Sequence, residues 1–170
     1  GADGVLVPHV DSAEKAREIV SAARYRSGTR GYSATTRAGD FGSRTIAAHL
    51  EQQDRSIAVI AMIEDPHALD QLEEILAVDG LDAVFIGRGD LTVAYGETKG
   101  GSAPVKAASQ KIAEAARAVG KPICVMTGSA ADAGDLAQLG ATAFIVSSDQ
   151  AFLRNAAASA LSDVRETVTK

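Results

Sequence analysis

IAVIAMIEDPHALDQLEEILAVDGLDAVFIGRGDLTVAYG, residues 57–96, is the stretch whose reading decides the fold. Two short apolar runs, 57–63 and 83–86, each lead to a carboxylate, Glu64 and Asp90. Unbroken apolar runs of this length suit strands covered on both faces, as strands of parallel sheets are. Between them Pro66 stands where a first helical turn tolerates it. Leu69, Leu72, Ile75 and Leu76 recur at helical spacing, and Asp79-Gly80 ends the helix. A strand, a crossover helix and a second strand make a parallel unit. Both acids then emerge on the same edge of one sheet.

Working outward, the same alternation continues. Towards the C-terminus, a Gly-rich stretch at 96–102 precedes a helix over 105–119, which Gly120-Lys-Pro122 closes into a strand over 123–126. A helix over 132–139 ends at Gly140, a strand follows over 142–147, and a last helix runs over 152–167. Towards the N-terminus, residues 4–10 read as a buried strand. Asp11 or Ser12 caps the next helix, with Glu14 at capping-box spacing from Asp11 and an apolar face of Ala13, Ala16, Ile19, Val20 and Ala23. No period holds over 24–43, a Gly- and Ser/Thr-rich loop carrying Arg24, Arg26, Arg30 and Arg37, four side chains able to meet an anionic substrate. A helix then spans about 45–53.

Five βα repeats argue for an α/β fold with a parallel sheet, closed either as an open doubly wound sheet or as an eight-stranded barrel. The first usually places a glycine fingerprint after its first strand. Here that turn is Pro8-His-Val-Asp-Ser12, without glycine. A barrel places its chemistry at the C-terminal strand ends, where Glu64 and Asp90 fall, although five strands do not close one.

Composition narrows the function classes. The chain has 170 residues, enough for one domain with a substantial core. The net charge is −5, with no Trp and few other aromatics, so neither a basic footprint nor a stacking platform for nucleic acid is present. No apolar run approaches the roughly 20 residues of a membrane-spanning helix. The opening GADGVLVPHV has no basic leader or cleavage-site pattern. The single cysteine, Cys124, lies in an apolar run and reads as a buried, inert thiol. Together these give the expectation of a cytoplasmic protein that binds neither nucleic acid nor membrane.

Carboxylates on neighbouring parallel strands, about 5 Å apart, can approach one hard divalent cation. Mg²⁺ takes one or two protein carboxylates and leaves its other positions to water and substrate oxygens, which suits a chelating 2-oxo acid. Gly87 and Gly89 lack side chains and let backbone amides approach a substrate carboxylate, and Asp90 heads a short helix. The same residues also read as helix starts: Glu64-Asp65-Pro66 and Gly89-Asp90 are good caps. Spacing alone leaves both readings open.

Five segments carry a resemblance: GADGVLVPHVDSAEKA, the ARY…GTRGYSATTRAG loop, the strand ending in IED, AVFIGRGDLTVAYG and GATAFIVSSDQAFL. In sequence and order the chain resembles the HpcH/HpaI aldolases of the phosphoenolpyruvate/pyruvate-binding barrel superfamily. The resemblance implies a (β/α)8 TIM barrel of which strands 4 to 8 are present, residues 1–170 forming a single, incomplete domain. It also implies a divalent metal, Mg²⁺, Mn²⁺ or Co²⁺, that holds pyruvate enolate while 4-hydroxy-2-oxo acids are cleaved to pyruvate and an aldehyde. Glu64 and Asp90 then correspond to the metal ligands. Gly87, Gly89, Asp90, Pro8 and Met62 are the substrate-binding candidates, and His9 and Arg37 the catalytic ones. Homo-oligomers, hexamers or trimers, are implied as well.

Two departures stand out. Met62 occupies the position two before the metal-binding Glu, where the aldolases commonly have Gln. The family's acid–His pair and oxo-acid-orienting Arg belong to strands before the first one here. The chain alone is therefore expected to lack turnover. The alternatives are a citrate-lyase-like acyl-CoA lyase and a catalytically inactive fragment or structural remnant. His49 and His67, on a helix and in a first turn, read as structural or solvated.

Overall fold

In β2 (Ala58–Ile63), Val59, Ala61 and Ile63 are fully buried, whereas Ala58, Ile60 and Met62 are half-buried. Successive side chains of a strand point to opposite faces, so the two sets mark two layers. Val59, Ala61 and Ile63 belong to a large core with the helices, including Leu72, Ile75, Leu76 and Ile112. Ile60 and Met62 pack with Leu6, Ala83, Phe85 and Cys124 in a smaller cluster on the other face of the sheet. The computed structural model describes residues 1–168.

Five parallel strands lie in chain order: β1 (Gly4–Val7), β2, β3 (Ala83–Ile86), β4 (Ile123–Thr127) and β5 (Ala143–Val146). An open doubly wound sheet reverses its strand order at a switch point. This one advances in a single direction, the winding of a barrel, and forms a curled five-stranded half-barrel. Helices α1 (Ala13–Ala23), α2 (Ile46–Ser56), α3 (Leu72–Leu76), α4 (Arg88–Ala94), α5 (Ala103–Ala118), α6 (Ala130–Leu139) and α7 (Asp149–Val168) complete the chain. β1 and β5 are the sheet edges, and α7 buries none of its residues. No helix among the described residues is long and apolar enough to cross a membrane.

Local chemistry explains several boundaries. Ser12, not Asp11, caps α1: its Oγ accepts from the Lys15 amide, which leaves Glu14 without the capping-box role its spacing suggested. Pro66 starts a 3-10 turn (Pro66–Asp70) rather than a continuous helix, and α3 follows it. Gly140, at φ 109°, closes α6 in the left-handed region that glycine adopts without strain. Cys124 is buried, and burial pushes its thiol up, as expected of an inert side chain.

The loop over 24–43 lies at the end of the sheet opposite Glu64, against the expectation that its arginines meet a substrate. The reason is topological: a crossover helix returns the chain to the N-terminal ends of the strands, and this loop follows α1. Arg24, 7% exposed, donates to the carbonyls of Asp54, Ile57 and Gly80 and to Asp82 Oδ2, bracing the starts of β2 and β3. The Arg30 guanidinium lies 4.5 Å over the Tyr25 ring. Arg37 begins a 3-10 segment (Arg37–Gly42) and lies beside Gly1, ahead of β1. His49 is fully buried between the rings of Tyr25 and Tyr32, at centroid distances of 5.6 and 5.3 Å, so of the two roles open to it the structural one holds.

Arg24→Ala removes the guanidinium donor from three carbonyls and from Asp82 Oδ2, which keeps the Val59 amide, and is expected to destabilise the fold by about 3 kcal/mol. Urea unfolding checks this; a loss below about 1 kcal/mol would show that the arginine is no brace.

Candidate metal centre

Glu64 follows β2 directly, and β2 pairs with β3 in parallel register, Ile63 opposite Ile86. The amide of Gly87 donates to the Ile63 carbonyl at 3.0 Å, which brings the turn after β3 onto the Glu64 side chain. The contact is so close that a Cβ on Gly87 would stand 2.4 Å from Glu64 Cβ and 2.8 Å from Oε2. Gly87 has an ordinary negative φ of −82°, so space rather than backbone conformation demands glycine. Gly89 has no neighbour of this kind; a side chain there would meet open space.

Asp90 lies in the first turn of α4, with its carboxyl beside that of Glu64 on the wall of the same cavity. Glu64 is 2% exposed, and burial, its largest influence, raises its pKa above the ordinary carboxylate value. The Asp90 carboxyl raises it further, while the His9 amide, donating to Oε1 at 2.9 Å, opposes the shift. A buried carboxylate against a second carboxylate is costly when both are ionised. A divalent cation between them removes that cost. Among the described residues no group of three or more His, Cys, Asp or Glu converges as a metal cage. Two carboxylates with open positions beside them fit Mg²⁺-like binding, in which water and substrate complete the shell.

His9 is brought to the same place. Its φ of 53° is uncommon for a residue with a side chain and turns its amide onto Glu64. Its ring Nδ1 lies 3.1 Å from Asp65 Oδ2 and 3.4 Å from Glu64 Oε1, and the Asp65 hydrogen bond, followed by the Glu64 charge, raises its pKa. Lys15 Nζ donates to the His9 carbonyl, and Asp11 accepts from both Lys15 and His67, tying this turn to the one after β2. Pro8, at the end of β1, is exposed. Met62 lines the open cavity of about 800 Å³ in front of Glu64, with Leu6, Phe85, Met126 and Ile145 as further apolar walls.

Arg88 and Asp132 also line this cavity, and sequence reasoning passed over both as site residues. Arg88 Nη1 and Nη2 donate to the two Asp132 carboxylate oxygens at 2.8 and 2.7 Å. Nothing in a single sequence signals a pairing across 44 residues.

Residues 1–156 match the family described as HpcH/HpaI aldolase/citrate lyase. The chain belongs to this family. The 5-keto-4-deoxy-D-glucarate aldolase of Enterobacter sp. (strain 638) is 37% identical over 153 residues, covering 89% of this chain and 59% of that protein. The chain thus spans about three-fifths of the length of the curated relatives it matches. Among solved structures, an HpcH/HpaI aldolase from Desulfitobacterium hafniense DCB-2 has a TM-score of 0.89 at 31% identity, covering 98% of this chain and 65% of that one. The citrate synthase SbnG has a TM-score of 0.86 at 27% identity, covering 100% of this chain and 66% of that one.

Gly87→Ala inserts a methyl group where the Glu64 side chain lies and is expected to weaken Mn²⁺ binding by at least about tenfold and to cost about 1–3 kcal/mol of stability. Isothermal titration and urea unfolding check the two effects; unchanged Mn²⁺ affinity would contradict the close Gly87–Glu64 packing.

Proposed function

We propose that this chain carries the metal-binding half of a class II aldolase that cleaves 4-hydroxy-2-oxo acids to pyruvate and an aldehyde. The observation that carries the reading is the buried Glu64 carboxylate beside Asp90 on one cavity at the C-terminal edge of the sheet. Family membership and the similarity to glucarate-type aldolases support it. In this reading β1 to β5 are strands 4 to 8 of a (β/α)8 barrel, and the protein is cytoplasmic and homo-oligomeric.

When bound, Mg²⁺, Mn²⁺ or Co²⁺ supplies Lewis-acid polarisation of a 2-oxo carbonyl. Glu64 and Asp90 hold the cation. The His9 amide holds one Glu64 oxygen and so sets the orientation of that ligand, making His9 a positioning residue. Gly89 and Asp90 offer backbone amides to the substrate carboxylate. Leu6, Met62 and Phe85 wall the cavity with apolar surface, which strengthens the charge interactions at the acids by excluding water. Met62 has no polar group comparable to a glutamine amide, so it acts on substrate choice through shape. Proton transfer and the grip on the oxo acid by an arginine are assigned to the family's acid–His pair and Arg, on strands other than β1 to β5.

The citrate-lyase-like alternative requires cationic groups for the phosphates of an acyl-CoA. Among the described residues lining the cavity Arg88 is the cation, and it is already paired with Asp132. That pairing favours the aldolase.

The test is pyruvate release from 4-hydroxy-2-oxo acids by the full-length protein with added Mn²⁺ or Mg²⁺, followed with lactate dehydrogenase. Glu64→Gln is expected to lower kcat/KM by at least about a thousandfold. Turnover that survives this substitution, or that ignores chelation, would contradict the ligand assignment.

A further inference from the structure

The turn that presents Asp90 is held in an unusual way. α4 has Gly87 as its N-cap and no side-chain cap, and a long-range contact adds to the hold on its first turn. Arg88, the first residue of α4, reaches across the cavity floor and donates to both oxygens of Asp132, in the first turn of α6, and to the Met126 carbonyl in β4 at 2.8 Å. Three bonds from one planar group define both its position and its tilt, a geometry that lysine cannot reproduce. The acceptor is itself held: Thr127 Oγ1 donates to Asp132 Oδ2 at 2.8 Å, and the Asp132 amide donates to Ser129 Oγ. On α4, Thr92 Oγ1 closes back on the Arg88 carbonyl, and Leu91 is fully buried.

We propose that the Arg88–Asp132 ion pair is the positioning element of the metal centre, locking the Gly87–Asp90 turn to the β4–α6 corner so that Asp90 meets the cation beside Glu64. The proposal rests on the metal reading given above and adds to it residues that act on the cation through Asp90. The pair is neutral as a unit, so it orients Asp90 without placing net positive charge beside a cation site. Arg88→Lys keeps the charge but loses the fork. The low pKa of Asp132, held down by Arg88 and by the Thr127 hydroxyl, accords with a carboxylate that stays ionised in the pair. Partners that orient metal ligands typically contribute 10–100-fold to affinity.

The experiment measures Mn²⁺ affinity by electron paramagnetic resonance in the full-length protein and in Arg88→Ala, Arg88→Lys, Asp132→Asn and the Arg88→Ala/Asp132→Asn double variant. Each single variant is expected to bind about tenfold more weakly. The double variant is expected to be no worse than the weaker single one, because both changes break one unit. Affinities within twofold of the parent, or losses that multiply in the double variant, would overturn the proposal. Amide hydrogen exchange without metal supplies a second readout. Faster exchange at residues 89–91 in Arg88→Ala, with β2 unchanged, is expected, and unaltered exchange there would overturn the proposal. Glu64→Gln separates the two readings. If the parent does not bind Mn²⁺, or Glu64→Gln binds it equally well, the metal reading fails and amide exchange alone decides whether the pair locks the turn.

Discussion

The arrangement on which the rest depends is electrostatic: a carboxylate that is 2% exposed, Glu64, faces a second carboxylate, Asp90, at the mouth of a parallel sheet. Isolated burial of one carboxylate already favours its neutral form, and a like charge beside it adds to the cost. The surrounding atoms keep the pair in place. Gly87 leaves room for the Glu64 side chain, the His9 amide holds one Glu64 oxygen, and the β2–β3 register brings the two strand ends level. These features act together to hold the two carboxyl groups side by side.

The winding of the chain gives this pair its setting. Because the strands advance in one direction, every turn that follows a strand falls on one end of the sheet and every turn that follows a crossover helix falls on the other. The first end gathers His9, Glu64, Asp90 and Asp132. The second gathers the Arg24 brace and the Tyr25–His49–Tyr32 cluster, contacts that stabilise the fold. This division matches the separation of chemistry from stability in barrels.

Much of this was legible in the sequence because strands declare themselves by apolar runs. β3 falls on the expected residues and β2 within one residue of them, and Glu64 and Asp90 follow from their ends. Composition, rich in arginine and glycine, made the loop over 24–43 look able to meet an anionic substrate; which end of the sheet it takes is set by topology, and it lies away from Glu64. The left-handed backbone at His9 and the Arg88–Asp132 pair were invisible for another reason. Both are set by tertiary contacts, and local propensity carries no trace of them.

The central claim is that Glu64 and Asp90 share a divalent cation. Anomalous diffraction at the manganese edge, from crystals of the full-length protein soaked with Mn²⁺ and pyruvate, tests it most directly. The account predicts one strong peak in contact with both carboxylates and with density for pyruvate beside Gly89. No peak between the two carboxyl groups would contradict it.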